Sequence, residues 1–237
     1  MKAAGAKIGV LKYVRDSFKC DQCSVQHGTV SRRKAAIPRT FQFNRILGVD
    51  IFFIRFLGKE VPFLNIVDHG SNLQVSTMLP IPEGLSGGTP TAETTWKHFR
   101  KTWIRYLGAP QMIITDQGSE FKGRFERGIE HYGIFHQPTD SYSPWQNAKV
   151  ERHGGWVKAK VDEEVLSGSF LPTNLEELDE YVTEIVAAKN RYFHRGGFSP
   201  YQLVFGSNPR LPHDMMSDDV LGQQGMVDIL GDELEAD

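Results

Sequence analysis

Residues 45–57 read RILGVDIFFIRFL, the most apolar stretch of the chain and the one that decides its fold. Its Ile, Val and Phe side chains favour extended backbone, so the run reads as a buried strand. Asp50 and Arg55 interrupt it, which leaves it far short of the ~18 uninterrupted apolar residues of a membrane span. Asp50 is the anomaly, flanked by Val49 and Ile51. A carboxylate in such a strand costs several kcal/mol unless it is paired, hydrogen-bonded or bound to a cation. The plain alternative is a strand-edge Asp that faces solvent or pairs with an Arg.

Outward from this strand, EVPFLNIVD (60–68) reads as a second strand ending at the turn Asp68-His69-Gly70, and LQVSTMLPI (73–81) as a third. Short connections predict an antiparallel meander. Thr89 as N-cap with Pro90 at the first position predicts a helix whose Trp96, Phe99, Trp103 and Tyr106 form a core face. A strand QMIIT (111–115), a helix over 119–132 and a strand-like GIFHQP (133–138) follow. After the polar loop TDSYSPWQN come a helix from about Ala148 to Leu166 and another opened by Asn174. In the latter, Leu175, Leu178, Tyr181, Val182, Ile185 and Val186 mark a buried stripe. Three strands, then alternating helix and strand, predict a mixed α/β sheet with helices on both faces.

At 237 residues, 40% hydrophobic and 24% charged, the chain is neither collagen-like, wholly disordered nor disulfide-dense. The N-terminus has no apolar run that reads as a secretory signal. The net charge of -2 hides an asymmetry: residues 1–59 hold 12 Lys/Arg against 3 Asp/Glu, whereas 213–237 hold eight acids and no Lys or Arg. A basic body with an acidic tail permits a nucleic-acid partner. The expected organisation is a basic arm at 1–40 around Cys20-x-x-Cys23, a body at 41–212 and a mobile acidic tail at 213–237. Cys20 and Cys23 have zinc half-site spacing, with His27 as a third possible ligand.

Two further carboxylates join Asp50. Asp116 follows QMIIT at the carboxyl end of a strand, a usual place for functional side chains in α/β sheets; capping the next helix is the alternative. Glu151 lies on the first turns of the helix after SPWQN, where a surface Glu is the default. Together the three can hold a pair of hard cations, Mg²⁺ or Mn²⁺, which take oxygen ligands. Two such ions ~4 Å apart stabilise the attacking and leaving oxygens of an in-line phosphoryl displacement. Asp68 is the rival first carboxylate, but its D-H-G setting reads as a turn.

The strand V-D-I, the segment I-T-D-Q-G-S-E-F (113–121) and the loop-helix S-P-W-Q-N-A-K-V-E-R (143–152) resemble the D,D-35-E signature of retroviral and retrotransposon integrases. N-R-Y-F-H-R-G-G-F-S-P-Y-Q-L-V-F-G-S-N-P-R (190–210) resembles the segment after the core in retrotransposon polyproteins. F-K-C-D-Q-C resembles the second half of the H-H-C-C zinc module, and the resemblance covers about residues 14–212. It implies a ribonuclease H-like five-stranded mixed sheet flanked by helices. The implied activity is that of a polynucleotidyl transferase and endonuclease: metal-dependent trimming of element DNA ends, then strand transfer into target DNA. Asp50 would bridge two Mg²⁺ or Mn²⁺ ions, completed by Asp116 and Glu151. Double-stranded DNA, a homo-oligomer, no membrane and a nuclear setting are the implied surroundings.

The chain departs from this pattern in three places. Asp116 and Glu151 are separated by 34 residues, one short of the usual spacing, and N-A replaces N-G at Asn147-Ala148. The His pair of the zinc module is absent, so Zn²⁺ is not expected here and activity is expected to be impaired. Asn147, Lys149, Arg152 and Lys158 are candidate DNA contacts; Lys158 lies two helical turns after Glu151 on the same face, with a solvated helix lysine as its alternative. A related DDE transposase or nuclease, or a catalytically inactive DNA-binding or interaction module of retroelement descent, are the rival readings.

Overall fold

Strand β1, Ile46–Phe56, lies at the centre of a five-stranded sheet. Its alternation sorts side chains to two faces. Leu47 and Val49 join one apolar cluster, whereas Phe52 and Ile54 join another on the opposite side. Asp50 therefore falls on the second face, between Gly48 and Phe52. β2, Lys59–Asp68, pairs antiparallel with β1, and β3, Gln74–Met78, pairs antiparallel with β2, as the meander predicts. β4, Met112–Thr115, and β5, Phe135–Pro138, add on in parallel, giving the order β3-β2-β1-β4-β5.

This computed structural model describes residues 40, 42–81, 88–139, 147–168 and 172–209, together with Tyr13. The chain divides into two units, Met1–Ala35 and Ala36–Asp237. Cys20, Cys23 and the acidic tail 213–237 lie outside the described residues. Among the described residues, no helix is long and apolar enough to cross a membrane.

Helix α1, Ala92–Phe99, continues through a π-helical stretch, Arg100–Ile104, to a last turn, Arg105–Leu107. Its cap is Thr91, whose side chain accepts from the Thr94 amide, two residues beyond the expected Thr89. The single helix expected over 119–132 is instead a 3-10 turn, Ser119–Phe121, and helix α2, Arg124–His131. Gly123 at φ +56° separates them, because no helix runs through left-handed backbone. α1 and α2 cover the first face with Trp96, Phe99, Trp103, Phe125 and Ile129.

The second face is covered by α3, Ala148–Ser167, through Val157 and Val161, and by α4, Leu175–Tyr192, through Leu178, Val182 and Val186. Asn174 caps α4 by accepting from the Glu177 amide, as its sequence predicts. A short helix, α5, Pro200–Phe205, was not anticipated. Its signal is S-P-Y-Q: the Ser199 hydroxyl accepts from the Gln202 amide while Gln202 Oε1 accepts from the Ser199 amide, with Pro at the first position.

One close approach on the first face is testable. A Cβ at Gly128 on α2 would stand 2.4 Å from the Trp96 ring. Gly128→Ala is expected to destabilise the chain by about 1–3 kcal/mol through overpacking, although Ala is the better helix former. The midpoint of urea unfolding checks this; equal or greater stability contradicts the packing.

Candidate active site

The register of the sheet places the carboxylates. Gly48 pairs in parallel with Ile114, two residues before Asp50 on β1, and Asp116 directly follows the end of β4. Asp50 pairs across β1–β2 with Asn65, whose side chain shares its face. The Asp116 carboxylate accepts from the Gly118 amide at 3.0 Å, an Asx turn that redirects the chain. The buried Glu120 then folds back over Gly118: a Cβ there would be 2.5 Å from its carboxylate.

Helix α3 delivers Glu151 from above. It seats closely on β1, because a Cβ at Gly48 would lie 3.0 Å from Val150 Cβ, and one at Gly154 would lie 3.1 Å from Phe52. Small residues on both partners bring the first turns of α3 down to the strand that bears Asp50. Asn147, at the N-cap, makes no capping bond. It is buried, and neither its Oδ1 nor its Nδ2 has a hydrogen-bond partner.

The carboxylates act on one another electrostatically. Burial raises the Asp50 carboxyl to about 7, helped by the charges of Asp116, Glu151 and Glu120 and opposed by a hydrogen bond from the Ile51 backbone. Burial first and then Asp116 raise Glu151, while burial and Asp116 also raise Glu120. Four carboxylates thus repel one another at one end of the sheet. Such an all-oxygen set suits a hard divalent cation in its donor chemistry. Among the described residues, however, no group of three or more His, Cys, Asp or Glu side chains is drawn together closely enough to hold a metal ion. The expected triad is in electrostatic reach without being a closed ligand cage.

Four basic side chains, Lys149, His69, His153 and Lys189, act on one another about the first turns of α3. Lys149 is half-buried and donates to the His69 carbonyl at 2.8 Å; burial lowers it to about 8. His69 and His153 are pushed down by burial to about 4 and about 2, and Lys189 to about 7. Arg152 and Lys158 are exposed on α3. Asp68 is fully buried and serves its turn, accepting from the Asn44 amide and from Ser71 N and Oγ.

Glu120, Asn65 and Lys189 escaped the sequence reading. Glu120 stood within I-T-D-Q-G-S-E-F. Asn65 interrupts β2 as Asp50 interrupts β1, so the same test of a polar residue in an apolar strand finds it. Lys189 gives no such signal, because a lysine near a helix end is ordinarily solvated.

No protein-family model matches the sequence, and no curated protein matches it. Solved structures do. An intasome of simian T-cell lymphotropic virus, in complex with PP2A regulatory subunit B56 gamma, aligns at TM-score 0.61 and 20% identity over 89% of this chain and 70% of that chain. The HTLV-2 integrase catalytic core domain in complex with magnesium, in its dimeric form, aligns at TM-score 0.53 and 21% identity, covering 72% of this chain and 99% of that one. The catalytic core of BIV integrase aligns at 0.52 and 16%, covering 69% and 95%. The chain has the ribonuclease H-like fold of integrase catalytic cores.

Acid sensitivity follows from the depressed histidines. Unfolded His protonates near 6.5, whereas folded His153 resists to about 2, so its share of stability is lost as pH falls below ~6.5. Asp50, raised to about 7, contributes with the opposite sign over pH 4–7. His153→Leu is therefore read as a change of slope: stability between pH 6.5 and 4 should depend on pH less steeply, by up to ~1.4 kcal/mol per pH unit. Chemical denaturation at several pH values checks it, and an unchanged slope contradicts the burial of a neutral imidazole.

Proposed function

We propose that the chain is an integrase-type polynucleotidyl transferase acting on double-stranded DNA, processing element ends and joining them to target DNA by in-line phosphoryl displacement. One observation supports the reading: the Asp50 carboxyl in the central strand, largely withdrawn from water, is repelled by Asp116, just past β4, and by Glu151 from α3. Asp50, Asp116 and Glu151 would hold Mg²⁺ or Mn²⁺. When bound, such ions neutralise charge on the attacking and leaving oxygens. The magnesium complex of the HTLV-2 integrase core supports the choice of metal.

The chain's own residues supply the rest. Asn147, buried with both amide atoms unpartnered, has donor and acceptor capacity for a DNA end beside Glu151. Arg152 and Lys158 project from the same helix toward solvent and suit backbone phosphates, and Lys149 contributes positive charge beneath them. Assembly as a homo-oligomer and action in the nucleus on a retrotransposon-like element belong to the same proposal. The solved relatives described as dimeric, trimeric and intasome forms support the first of these.

A catalytically inactive DNA-binding module is the second reading. It is favoured by the absence, among the described residues, of a closed ligand group and by the exposure of Glu151. Asp50→Asn separates the two. In the proposed enzyme it abolishes Mg²⁺-dependent cleavage of short duplex DNA, and it raises the thermal midpoint of the metal-free chain by relieving repulsion. Cleavage that survives Asp50→Asn contradicts the proposal, and wild-type binding of duplex DNA with no cleavage in Mg²⁺ or Mn²⁺ establishes the inactive module.

A further inference from the structure

The first two turns of α3, which carry Glu151, are gripped by buried polar side chains from three other elements. Asn65 on β2 is fully buried, and its Nδ2 donates to the Val150 carbonyl at 3.0 Å. Its Oδ1 accepts from Gln74 Nε2 at 2.7 Å and from Ser76 Oγ at 3.0 Å on β3. Gln74 Oε1 accepts from the Lys189 ammonium of α4, which also donates to His153 Nδ1 at 2.6 Å and sits 5.6 Å from the centroid of the Trp156 ring. Asn190 fastens the Gln74 backbone to α4 at both its amide, 3.0 Å, and its carbonyl, 2.7 Å. The bonds run from α4 through β3 and β2 to α3, and return directly from Lys189 to His153.

Apart from the bond from Lys149 to the His69 carbonyl, nothing in the first turns of α3 itself holds that end as firmly. Asn147 provides no cap, and Gly154-Gly155 form a weak second turn. The apolar seat of Val150, Val157 and Val161 is non-directional, so it tolerates a slide or a small rotation of the helix. Hydrogen bonds to one carbonyl and one ring nitrogen do not. Burying an ammonium against neutral acceptors is also a poor way to gain stability, because apolar side chains of similar volume do as well or better. What such a group secures is a unique arrangement. Asn65 is in addition the cross-strand partner of Asp50, so the grip measures α3 against the strand that bears the first carboxylate.

We propose that Asn65, Gln74, Lys189 and His153 are positioning residues that set where Glu151 stands relative to Asp50 and Asp116. The proposal rests on the reading of Glu151 as a metal-holding carboxylate. It is tested in the full chain with Lys189→Met and Gln74→Met combined, which replace the buried polar pair by apolar side chains of similar length; Lys189→Met alone carries the same readouts if the pair does not fold. The thermal midpoint should stay level or rise. Amide exchange at residues 151–155 should accelerate about tenfold or more while the exchange of β1 is unchanged. Mn²⁺ affinity, followed by the electron-spin resonance of the free ion, should weaken by roughly 10-fold, as for loss of groups that orient metal-holding side chains. Unchanged exchange at 151–155 overturns the proposal, and so does faster exchange with unchanged Mn²⁺ affinity. A wild-type chain that binds no Mn²⁺ removes the reading of Glu151 and this proposal together, whereas wild-type binding with unresponsive variants overturns this proposal alone.

Discussion

A carboxylate set in the middle of the most apolar strand is the constraint on which the rest depends. Asp50 is largely withdrawn from water, and burial together with three neighbouring acids pushes its carboxyl up to about 7. That arrangement is unfavourable in the metal-free chain, and it persists because the surrounding packing is strong. Apolar clusters on both faces of β1 fix the strand. Gly48 and Gly154 let α3 come down on it, and β4, paired in parallel with β1, ends just before Asp116, whose charge acts on Asp50. Perturbed, mutually repelling acids held by a rigid scaffold are a feature that functional sites often share.

Much of the fold was legible because it rests on local signals. The apolar runs of β1 and β2 and the cap at Asn174 match the structure within a residue, whereas β3 ends at Met78, three residues before the expected Ile81. Two misplacements are of one kind. Thr91 rather than Thr89 caps α1, and Gly123 at positive φ splits the helix expected over 119–132. Both depend on backbone geometry that several residues of similar propensity compete to set.

The candidate site was legible in part for a related reason. Asp50 and Asp116 announce themselves by their strands, and Glu151 by the motif around it. The network through Asn65, Gln74, Lys189 and His153 spans four elements whose sequence separations exceed 80 residues in the Asn65–Val150 bond and 110 in the Gln74–Lys189 bond. No periodicity reports a contact of that range. Lys149, a candidate DNA contact from its sequence position, donates to the His69 carbonyl in the β2–β3 turn, because α3 is drawn down at that end. The same closeness that positions Glu151 thus converts a surface cation into a half-buried one.

The central claim is that Asp50, Asp116 and Glu151 are one divalent-cation site. Crystals of the full chain grown or soaked in Mn²⁺ and measured for anomalous scattering test it most directly. The account predicts a peak within bonding distance of Asp50 and Asp116, with Glu151 turned toward it. Peaks confined to other acidic positions, or a Glu151 side chain directed away from Asp50 while Mn²⁺ is bound, contradict it.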